Sequence, residues 1–429
     1  MLRILSMKQS KKYIFLTSLT VALGGFLLGF DASVISGVIK FIEPEFNLTK
    51  IQLGWAVGCI TLTAALGMLI AGPISDKVGR RIMLKYAAIL FTVSAIGSAL
   101  APTFFWLIVA RLIGGFAVGA SLILAPVYIA EVSPSHLRGK MVSLNQLNIV
   151  LGISIAFLMN YMILLLADSE ATWAAGLEFD KWNWRWMLGL ETFPAIIYFI
   201  GLLFVPRSPR WLLMHGEENE AYSVTTKFFP EAEAEEQISL IKENIAKDQN
   251  KEKVALAELF KPAMRNVIVI GLIVGIFQQI TGINSVLYFA PMSFEQSGFG
   301  TDASFIQAIL VGLTNLVFTV IAIFTIDSLG RKPLLLIGML GITICMSLMA
   351  YGFGAATYKL TNDSITSLPA DIDPDRLKPL AGQTFEDDVS YKNAFAEVLG
   401  TDDAVKLESQ LITAAANINS ILILIGILG

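Results

Sequence analysis

The sequence has little charge, little cysteine and little histidine. Only 15% of its 429 residues are charged, whereas 55% are hydrophobic, a balance that would leave a soluble protein coated in exposed apolar surface. Cys59 and Cys345 lie far apart inside apolar runs, and His136 and His215 have no metal-type neighbours in sequence. These shortages exclude a soluble globular domain, imply no disulfide framework and give no indication of a metal site.

The sequence also lacks the motifs of the common enzyme classes. It contains no phosphate-binding loop, no serine–histidine–aspartate signature in a plausible context and no soluble domain paired with the apolar part. Each of those chemistries needs its residue types at fixed spacing. We therefore expect no enzyme activity, no cofactor and no nucleic-acid partner.

Long apolar runs dominate what is present. A helix needs about 20 apolar residues to cross about 30 Å of hydrocarbon. The first run is too long for a signal-peptide core and has no convincing cleavage site, so we expect it to remain as a helix. The pattern predicts an all-α integral membrane fold with about ten spans, near 13–39, 51–73, 83–101, 104–130, 141–167, 186–206, 266–290, 304–326, 333–357 and 411–429.

The basic residues of the short loops fall on one side of these spans. Lysine and arginine precede the first span and follow the second, fourth and eighth, whereas the opposite loops are mostly acidic. Short loops rich in lysine and arginine stay in the cytoplasm. The distribution predicts a multi-pass protein of the cell (inner) membrane with a cytoplasmic amino terminus.

One charged loop occurs twice. Residues 76–81 read Asp-Lys-Val-Gly-Arg-Arg, and residues 327–332 read Asp-Ser-Leu-Gly-Arg-Lys. Each copy follows a long apolar run and opens another. Such a repeat indicates duplicated helical bundles, the usual build of a secondary transporter.

Two polar segments interrupt the apolar pattern and suggest the domain limits. Residues 1–206 should form a six-helix bundle, 207–263 a cytoplasmic linker of short amphipathic helices on the membrane surface, and 264–429 a second, incomplete bundle. The segment 358–408 is long, acidic and rich in proline, and we interpret it as an extracytoplasmic lid or partner-binding insertion. Because the chain stops inside an apolar run, we expect a fragment that lacks about two spans.

Five motifs occur in order along the chain. They are Gly72–Arg81, Arg111–Gly115, Pro126–Glu131, Ser208–Leu212 and Gln278–Asn284. With these motifs the chain resembles the sugar porter family of the major facilitator superfamily, and its first span looks like that of bacterial proton-coupled xylose or hexose symporters. The resemblance implies two six-helix bundles with a monosaccharide site between them.

Asp31 and Arg111 are the predicted proton-coupling pair. An acidic side chain inside a span is costly unless it is paired, hydrated or protonated. Arg111, deep in the fourth span, is its natural partner, and protonation of Asp31 would release the guanidinium. The resemblance implies the same roles. The alternative is a permanent ion pair that only holds two helices together.

Amides in the fifth, seventh and eighth spans are the predicted sugar ligands. A sugar ring offers hydroxyls at its edge and C–H groups on its faces, so amides and flat apolar walls suit it. Gly282 should permit local unwinding that turns some of them inward. The alternative is interhelical hydrogen bonding. The predicted ligands, which the resemblance also places in the sugar site, are Gln146, Gln278, Gln279, Asn284, Tyr288 and Asn315.

A third group of charged residues is predicted to gate the cytoplasmic side. Opposite charges at adjacent helix ends can hold that side closed at little cost. The alternative is topology signalling by basic loops. Arg207 departs from the family pattern, which has an acid at this position. The predicted gate residues are Asp76, Arg80, Arg81, Glu131, Arg138, Glu191, Asp327 and Arg331.

The sequence therefore predicts a monomeric transporter that imports a monosaccharide with a proton by alternating access. We expect the lipid bilayer as its other partner, and we expect no bound metal. Two alternatives stay open: a facilitative uniporter of the same fold, and a sugar sensor that binds without transport. Residue identity leaves the choice between hexose and pentose open.

Overall fold

Helices make up most of the molecule, as predicted. The computed structural model describes residues 2–169, 171–249, 262–297, 299–366 and 374–428. The helices are α1 Leu2–Glu45, α2 Lys50–Val78, α3 Arg80–Ala99, α4 Phe104–Val132, α5 Ser135–Ala167, α6 Thr172–Gly176, α7 Phe179–Gly189, α8 Thr192–Phe204, α9 Pro209–Met214, α10 Glu218–Phe228, α11 Glu231–Gln249, α12 Pro262–Ile280, α13 Ile283–Tyr288, α14 Ala290–Gln296, α15 Thr301–Leu329, α16 Arg331–Gly354, α17 Asn362–Thr366, α18 Pro374–Leu377, α19 Asp388–Leu399, α20 Thr401–Ala415 and α21 Ser420–Leu428. The strands are β1 Thr357–Lys359, β2 Thr384–Phe385 and β3 Ala416–Asn417.

Nine segments among the described residues are long and apolar enough to cross a membrane, so the protein is a multi-pass membrane protein. The tenth predicted run, 411–429, differs from expectation: the end of α20, the strand β3 and the nine-residue α21 share it. Hydropathy alone missed this break, because the run is apolar on both sides of Asn417 and Asn419. The nine segments are Lys12–Glu45, Lys50–Val78, Arg80–Ala99, Phe104–Val132, Leu137–Ala167, Phe179–Phe204, Met264–Tyr288, Thr301–Ile326 and Arg331–Gly354.

The seventh predicted span is interrupted where the glycine suggested. Helix α12 ends at Ile280, Gly282 has a φ of +82°, and α13 begins at Ile283. That φ is favourable for glycine alone among the ordinary residues. The interruption leaves the polar residues of this region on two short helical pieces.

The chain divides into two compact units. The first comprises residues 1–31, 55–152 and 188–282, and the second 32–54, 153–187 and 283–429. Helices α1, α2, α5 and α7 therefore contribute to both. The bundle limits predicted at residues 206 and 264 stay predictions.

Small residues on α4 allow close helix packing in the first unit. A Cβ atom at Gly115 would lie 2.5 Å from the carbonyl oxygen of Ile60, and one at Gly119 would lie 2.1 Å from that of Ala64. Only glycine fits there, and the backbones of α4 and α2 meet directly. By contrast, a Cβ at Gly271 in α12, part of a similar glycine pair, would meet no described atom within 4 Å.

The predicted linker packs its apolar face on protein. Ala221, Val224 and Phe228 of α10 are buried, and the Phe228 ring lies 5.2 Å from that of Tyr13 in α1. The sequence suggested a membrane surface as the partner of this face. Residues 250–261 of the linker lie outside the described residues.

The second unit contains a folded module at the predicted insertion, which we call the insertion module (residues 356–417). Its sheet is antiparallel in the order β2-β1-β3, and Tyr358 of β1 pairs with Phe385 and Ala416. Tyr391 is buried beneath the sheet and donates a hydrogen bond to the carbonyl oxygen of Leu411 at 3.2 Å. The module therefore has a core of its own, although residues 367–373 of the predicted insertion lie outside the described residues.

Candidate functional site

Three charged side chains form a buried cluster in the first unit. Asp31 on α1, Arg111 on α4 and Glu191 at the start of α8 are each at most 3% exposed. The Arg111 Nη1 atom lies 3.5 Å from Asp31 Oδ1, and Arg111 Nε donates to the carbonyl oxygen of Ala56 on α2 at 2.9 Å. The predicted pair is therefore formed, and its guanidinium is also tied to a third helix.

Glycine in the fourth span allows close packing beside the Asp31 carboxylate. A Cβ at Gly114 would lie 2.4 Å from Ser94 Oγ and 3.5 Å from Asp31 Oδ2. The first distance is a clash and the second an ordinary contact, so a larger residue at this position would displace the serine. Gly114 stands three residues after Arg111, so one motif supplies both the guanidinium and the tight packing beside its partner.

Glu191, one of the predicted gate residues, lies beside this pair. It is close enough to Asp31 and Arg111 to interact electrostatically with both. Sequence reasoning grouped it with charged residues at helix ends and did not predict its proximity to Asp31, and its role in gating stays a prediction. The signal that could have identified Glu191 was the same one used for Asp31, namely an acidic residue inside a predicted span.

The predicted sugar ligands are divided between the two units. In the first unit, Gln146 on α5 and Gln278 and Gln279 at the end of α12 are exposed. In the second unit, Asn284 and Tyr288 on α13 and Asn315 on α15 are half-buried. Their meeting in one site stays a prediction.

The packing around Gln146 explains how its helix is held. The preceding residue, Asn145, is buried, and a Cβ at Gly25 of α1 would lie 2.8 Å from its oxygen atoms. About two helical turns after Asn145, a Cβ at Gly152 would lie 2.1 Å from the carbonyl oxygen of Phe26. Helices α1 and α5 are therefore in backbone contact on either side of Gln146, which fixes its position.

Arg80 is the centre of the predicted gate cluster in the first unit. Its guanidinium lies 2.7 Å from Asp76 and 3.3 Å from Glu131, and it donates to the carbonyl oxygen of Ser75 at 3.1 Å. Arg80 and Glu131 are nearly buried, whereas Asp76 is largely exposed. The cluster therefore joins the end of α2, the start of α3 and the end of α4.

Neighbouring side chains extend this cluster through backbone carbonyls. Arg81 donates to Leu202 at 3.2 Å and to Leu203 at 2.7 Å, at the end of α8. Arg138 donates to the carbonyl oxygen of Ala130 at 3.1 Å, at the end of α4. Carbonyls at helix ends lack partners within the helix, so a cation there is favourable.

Two residues of the 207–211 segment complete this end of the first unit. Trp211 Nε1 donates to the carbonyl oxygen of Asp76 at 3.0 Å. Arg207, the departure from the family pattern, pairs with Glu217 at 3.0 Å and with Glu220 at 3.3 Å on the exposed surface. The reversed charge is therefore accommodated by acids of the linker.

The second copy of the repeated loop lies in the second unit. Gly330 separates α15 from α16 with a φ of +81°, and Arg331 is exposed. The side chain of Asp327 lies outside the described part of the chain. Gating by this copy stays a prediction.

Comparison with known proteins gives one consistent result. The family model described as sugar (and other) transporter matches residues 17–368. The D-xylose-proton symporter of Escherichia coli strain K12 is 37% identical over 379 residues, covering 81% of this chain and 73% of the relative. The arabinose-proton symporter of Bacillus subtilis is 38% identical over 344 residues, covering 80% and 72%.

The solved structures agree with these sequence matches. The xylose transporter XylE from E. coli, in a partially occluded inward-open conformation, has a TM-score of 0.68 and 33% identity, covering 97% of this chain and 92% of that chain. XylE bound to 6-bromo-6-deoxy-D-glucose also has a TM-score of 0.68 and 33% identity, covering 98% and 86%. The chain therefore belongs to the sugar transporter family of the major facilitator superfamily.

Proposed function

We propose that the protein imports a monosaccharide, a pentose or a hexose, together with a proton by alternating access. The observation that carries this proposal is the composition of the buried cluster. Two buried carboxylates lie near the single guanidinium of Arg111: that of Asp31 is paired with it, and that of Glu191 interacts with both electrostatically. The names of relatives that cotransport a proton with xylose or arabinose support it.

The charge balance of the cluster favours a bound proton. With both carboxylates ionised, the three side chains carry a net charge of −1 in a buried site, and an uncompensated buried charge is costly. One proton on either carboxylate makes the cluster neutral. The proton then belongs to the pair of carboxylates, and its gain or loss changes how strongly Arg111 is held.

The contacts of Arg111 suggest how that proton is linked to movement. Arg111 binds Asp31 on α1 and the carbonyl oxygen of Ala56 on α2. Protonation of Asp31 weakens the first contact and leaves the second, so the relative stability of two helix arrangements changes with proton occupancy. In this proposal the sugar site is formed by Gln146, Gln278, Gln279, Asn284, Tyr288 and Asn315.

The Arg80 cluster is the proposed gate at the cytoplasmic side of the inner membrane. Its buried Arg80–Glu131 pair joins the ends of α3 and α4, and Arg81 joins α3 to α8. These contacts hold several helix ends together in one state. Opening on this side requires some of them to break.

Uptake into proteoliposomes tests the proposal. The full chain is reconstituted, an inward proton gradient is imposed, and the accumulation of labelled D-xylose and D-glucose is measured with and without a protonophore. We expect accumulation above the external concentration that the protonophore abolishes. Protonophore-insensitive equilibration would indicate a uniporter, and sugar binding without flux would indicate a sensor.

Asp31→Asn is the first prediction. The amide cannot take up and release a proton, so the accumulation ratio should fall to about one, the value for downhill equilibration. Exchange of labelled for unlabelled sugar at equilibrium should persist. Asp387→Asn, on the exposed surface of the insertion module, is the matched control and should accumulate sugar like the unmodified protein. Normal accumulation by Asp31→Asn would remove Asp31 from the coupling mechanism.

A further inference from the structure

A cavity of about 330 Å³ lies in the second unit, apart from the residues discussed above. Its walls come from the last turns of α1, from α14, and from α20 of the insertion module. This volume falls within the usual range for small-molecule sites. Glu408 and Ile412 are the residues that α20 contributes.

The acidic residues of the cavity lining all have a lysine partner. Three glutamates line the cavity and each pairs with a lysine, although the lysine of one pair, Lys392, also pairs with Asp388. Because each lining acid already has a counter-ion, the cavity offers charged hydrogen-bonding groups that are already paired and are less available to a free ion. The pairs are Glu295 with Lys40 at 2.6 Å, Glu408 with Lys392 at 2.9 Å, and Glu43 with Lys50.

The remaining lining is largely apolar. Ile39, Phe41, Pro291, Met292 and Ile412 provide the apolar surfaces. A neutral ring with hydroxyls at its edge and C–H groups on its faces suits this lining. Its hydroxyls can form hydrogen bonds with the charged side chains, and its faces can pack against the apolar side chains. The composition therefore suits a neutral polyhydroxyl ligand better than an ion or a purely apolar molecule.

The cavity adjoins the part of the chain predicted to bind sugar. A second cavity of about 290 Å³ shares Met292 and Gln296 with the first and is lined by Phe289. Phe289 directly follows Tyr288, one of the predicted ligands. Two neighbouring spaces within the second unit therefore lie between the insertion module and the residue that directly follows α13.

We propose that the larger cavity is an outer subsite for a neutral monosaccharide and that the insertion module supplies one of its walls. This inference rests on the proposed transport of a monosaccharide and on the predicted extracytoplasmic position of the module. The subsite holds sugar before it reaches the main site. The insertion thereby gains a defined role in uptake.

Transport kinetics provide one test. Glu408→Trp fills the cavity with an indole, and Lys392 keeps Asp388 as a partner at 3.0 Å. We expect the KM for inward uptake of labelled D-xylose or D-glucose to rise about fivefold at unchanged maximal rate, with the KM for outward flux unchanged. Gln410→Trp, exposed on the same helix, is the matched control and should leave both KM values unchanged. An unchanged inward KM in Glu408→Trp, or an equal rise in Gln410→Trp, would overturn the proposal.

Binding stoichiometry gives a second test that is independent of transport. Equilibrium dialysis of the full chain in nanodiscs with labelled D-xylose or D-glucose, without a gradient, should give two sugars per chain for the unmodified protein and one for Glu408→Trp. Gln296→Ala, a smaller change in the same wall, should weaken the outer site about fivefold. One sugar per chain in the unmodified protein would refute the subsite. Failure of the proposed symport would look different: proteoliposomes would show no gradient-driven accumulation, while dialysis would still give two sugars per chain.

Discussion

The two copies of the repeated charged loop have the same backbone conformation but different surroundings. Gly79 has φ and ψ of 98° and 142°, and Gly330 has 81° and 162°. In each copy the glycine N–H donates to the carbonyl four residues earlier, Ser75 at 2.9 Å and Ile326 at 3.1 Å. The local sequence is therefore enough to end one helix and begin the next.

The environment of the first copy has no equivalent in what the structure describes of the second. A Cβ at Gly79 would lie 3.4 Å from the Trp211 ring, and Arg80 is buried against Glu131. A Cβ at Gly330 would meet only Pro333, at 3.9 Å, and Arg331 is exposed. The motif thus determines a turn, and neighbouring helices determine whether that turn takes part in a charge network.

Replacing the arginine of each copy should give the largest difference in stability between the two copies, because only the first arginine is seen in a charge network among the described residues. Arg80→Met leaves the nearly buried Glu131 carboxylate without its main counter-ion. Arg210 also lies close to Glu131 and compensates in part, so we expect a loss of about 2 kcal/mol in unfolding free energy. Arg331→Met, at the matching position, should change it by less than about 0.5 kcal/mol. Unfolding in detergent, followed by tryptophan fluorescence, measures both.

A double variant tests the cause of that loss. If the uncompensated carboxylate is responsible, the variant that combines Arg80→Met with Glu131→Leu should lose less unfolding free energy than the two single variants lose together. The difference should be about 1 kcal/mol or more. Strict additivity would show that the two side chains act independently. The network would then have no special role at this end of the first unit.

The contrast also shows what the sequence could predict and what it could not. The nine membrane-length helices, the repeated turn and the Asp31–Arg111 pair follow from apolar run length, glycine position and the cost of a buried acid. The proximity of Glu191 to Asp31 and Arg111 was not predicted, because distance along the chain does not show which neighbouring helices face a residue. The same limit hid the ion pair between Lys40 and Glu295, which are 255 residues apart.

The insertion module illustrates a second limit. Its length, prolines and acidic runs led to its interpretation as a lid or partner-binding insertion, and no strand was predicted there. Tyr358, Tyr391 and Phe395 nevertheless form a core with three short strands. Strands of two or three residues give no alternating pattern to detect. Its contribution to a cavity lined by α1 and α14 depends on tertiary packing, which no local pattern encodes.

Alanine at the two glycines should have nearly equal effects. Each position combines a positive φ with an extended ψ, a conformation essentially restricted to glycine, so an added Cβ costs about 1–3 kcal/mol of backbone strain in either copy. The Trp211 ring at 3.4 Å from the new atom at residue 79 is close to ordinary contact and should add little. We therefore expect the unfolding free energies of Gly79→Ala and Gly330→Ala to agree within about 0.5 kcal/mol. A difference above 1 kcal/mol would mean that the surroundings, and not the shared backbone, determine the strain.

The smallest expected loss of stability concerns the last residue of each copy. Arg81 donates to two carbonyls at the end of α8, whereas Lys332, at the matching position, is exposed. Arg81→Ala should lower the unfolding free energy by about 1 kcal/mol, because those carbonyls lose a charged donor. Lys332→Ala should stay within about 0.5 kcal/mol of the unmodified protein. Arg81→Lys keeps the charge and loses the two-pronged geometry, so it should lie between the two. If Arg81→Lys matches the unmodified protein, charge at the helix end accounts for the effect; if it matches Arg81→Ala, the paired hydrogen bonds do.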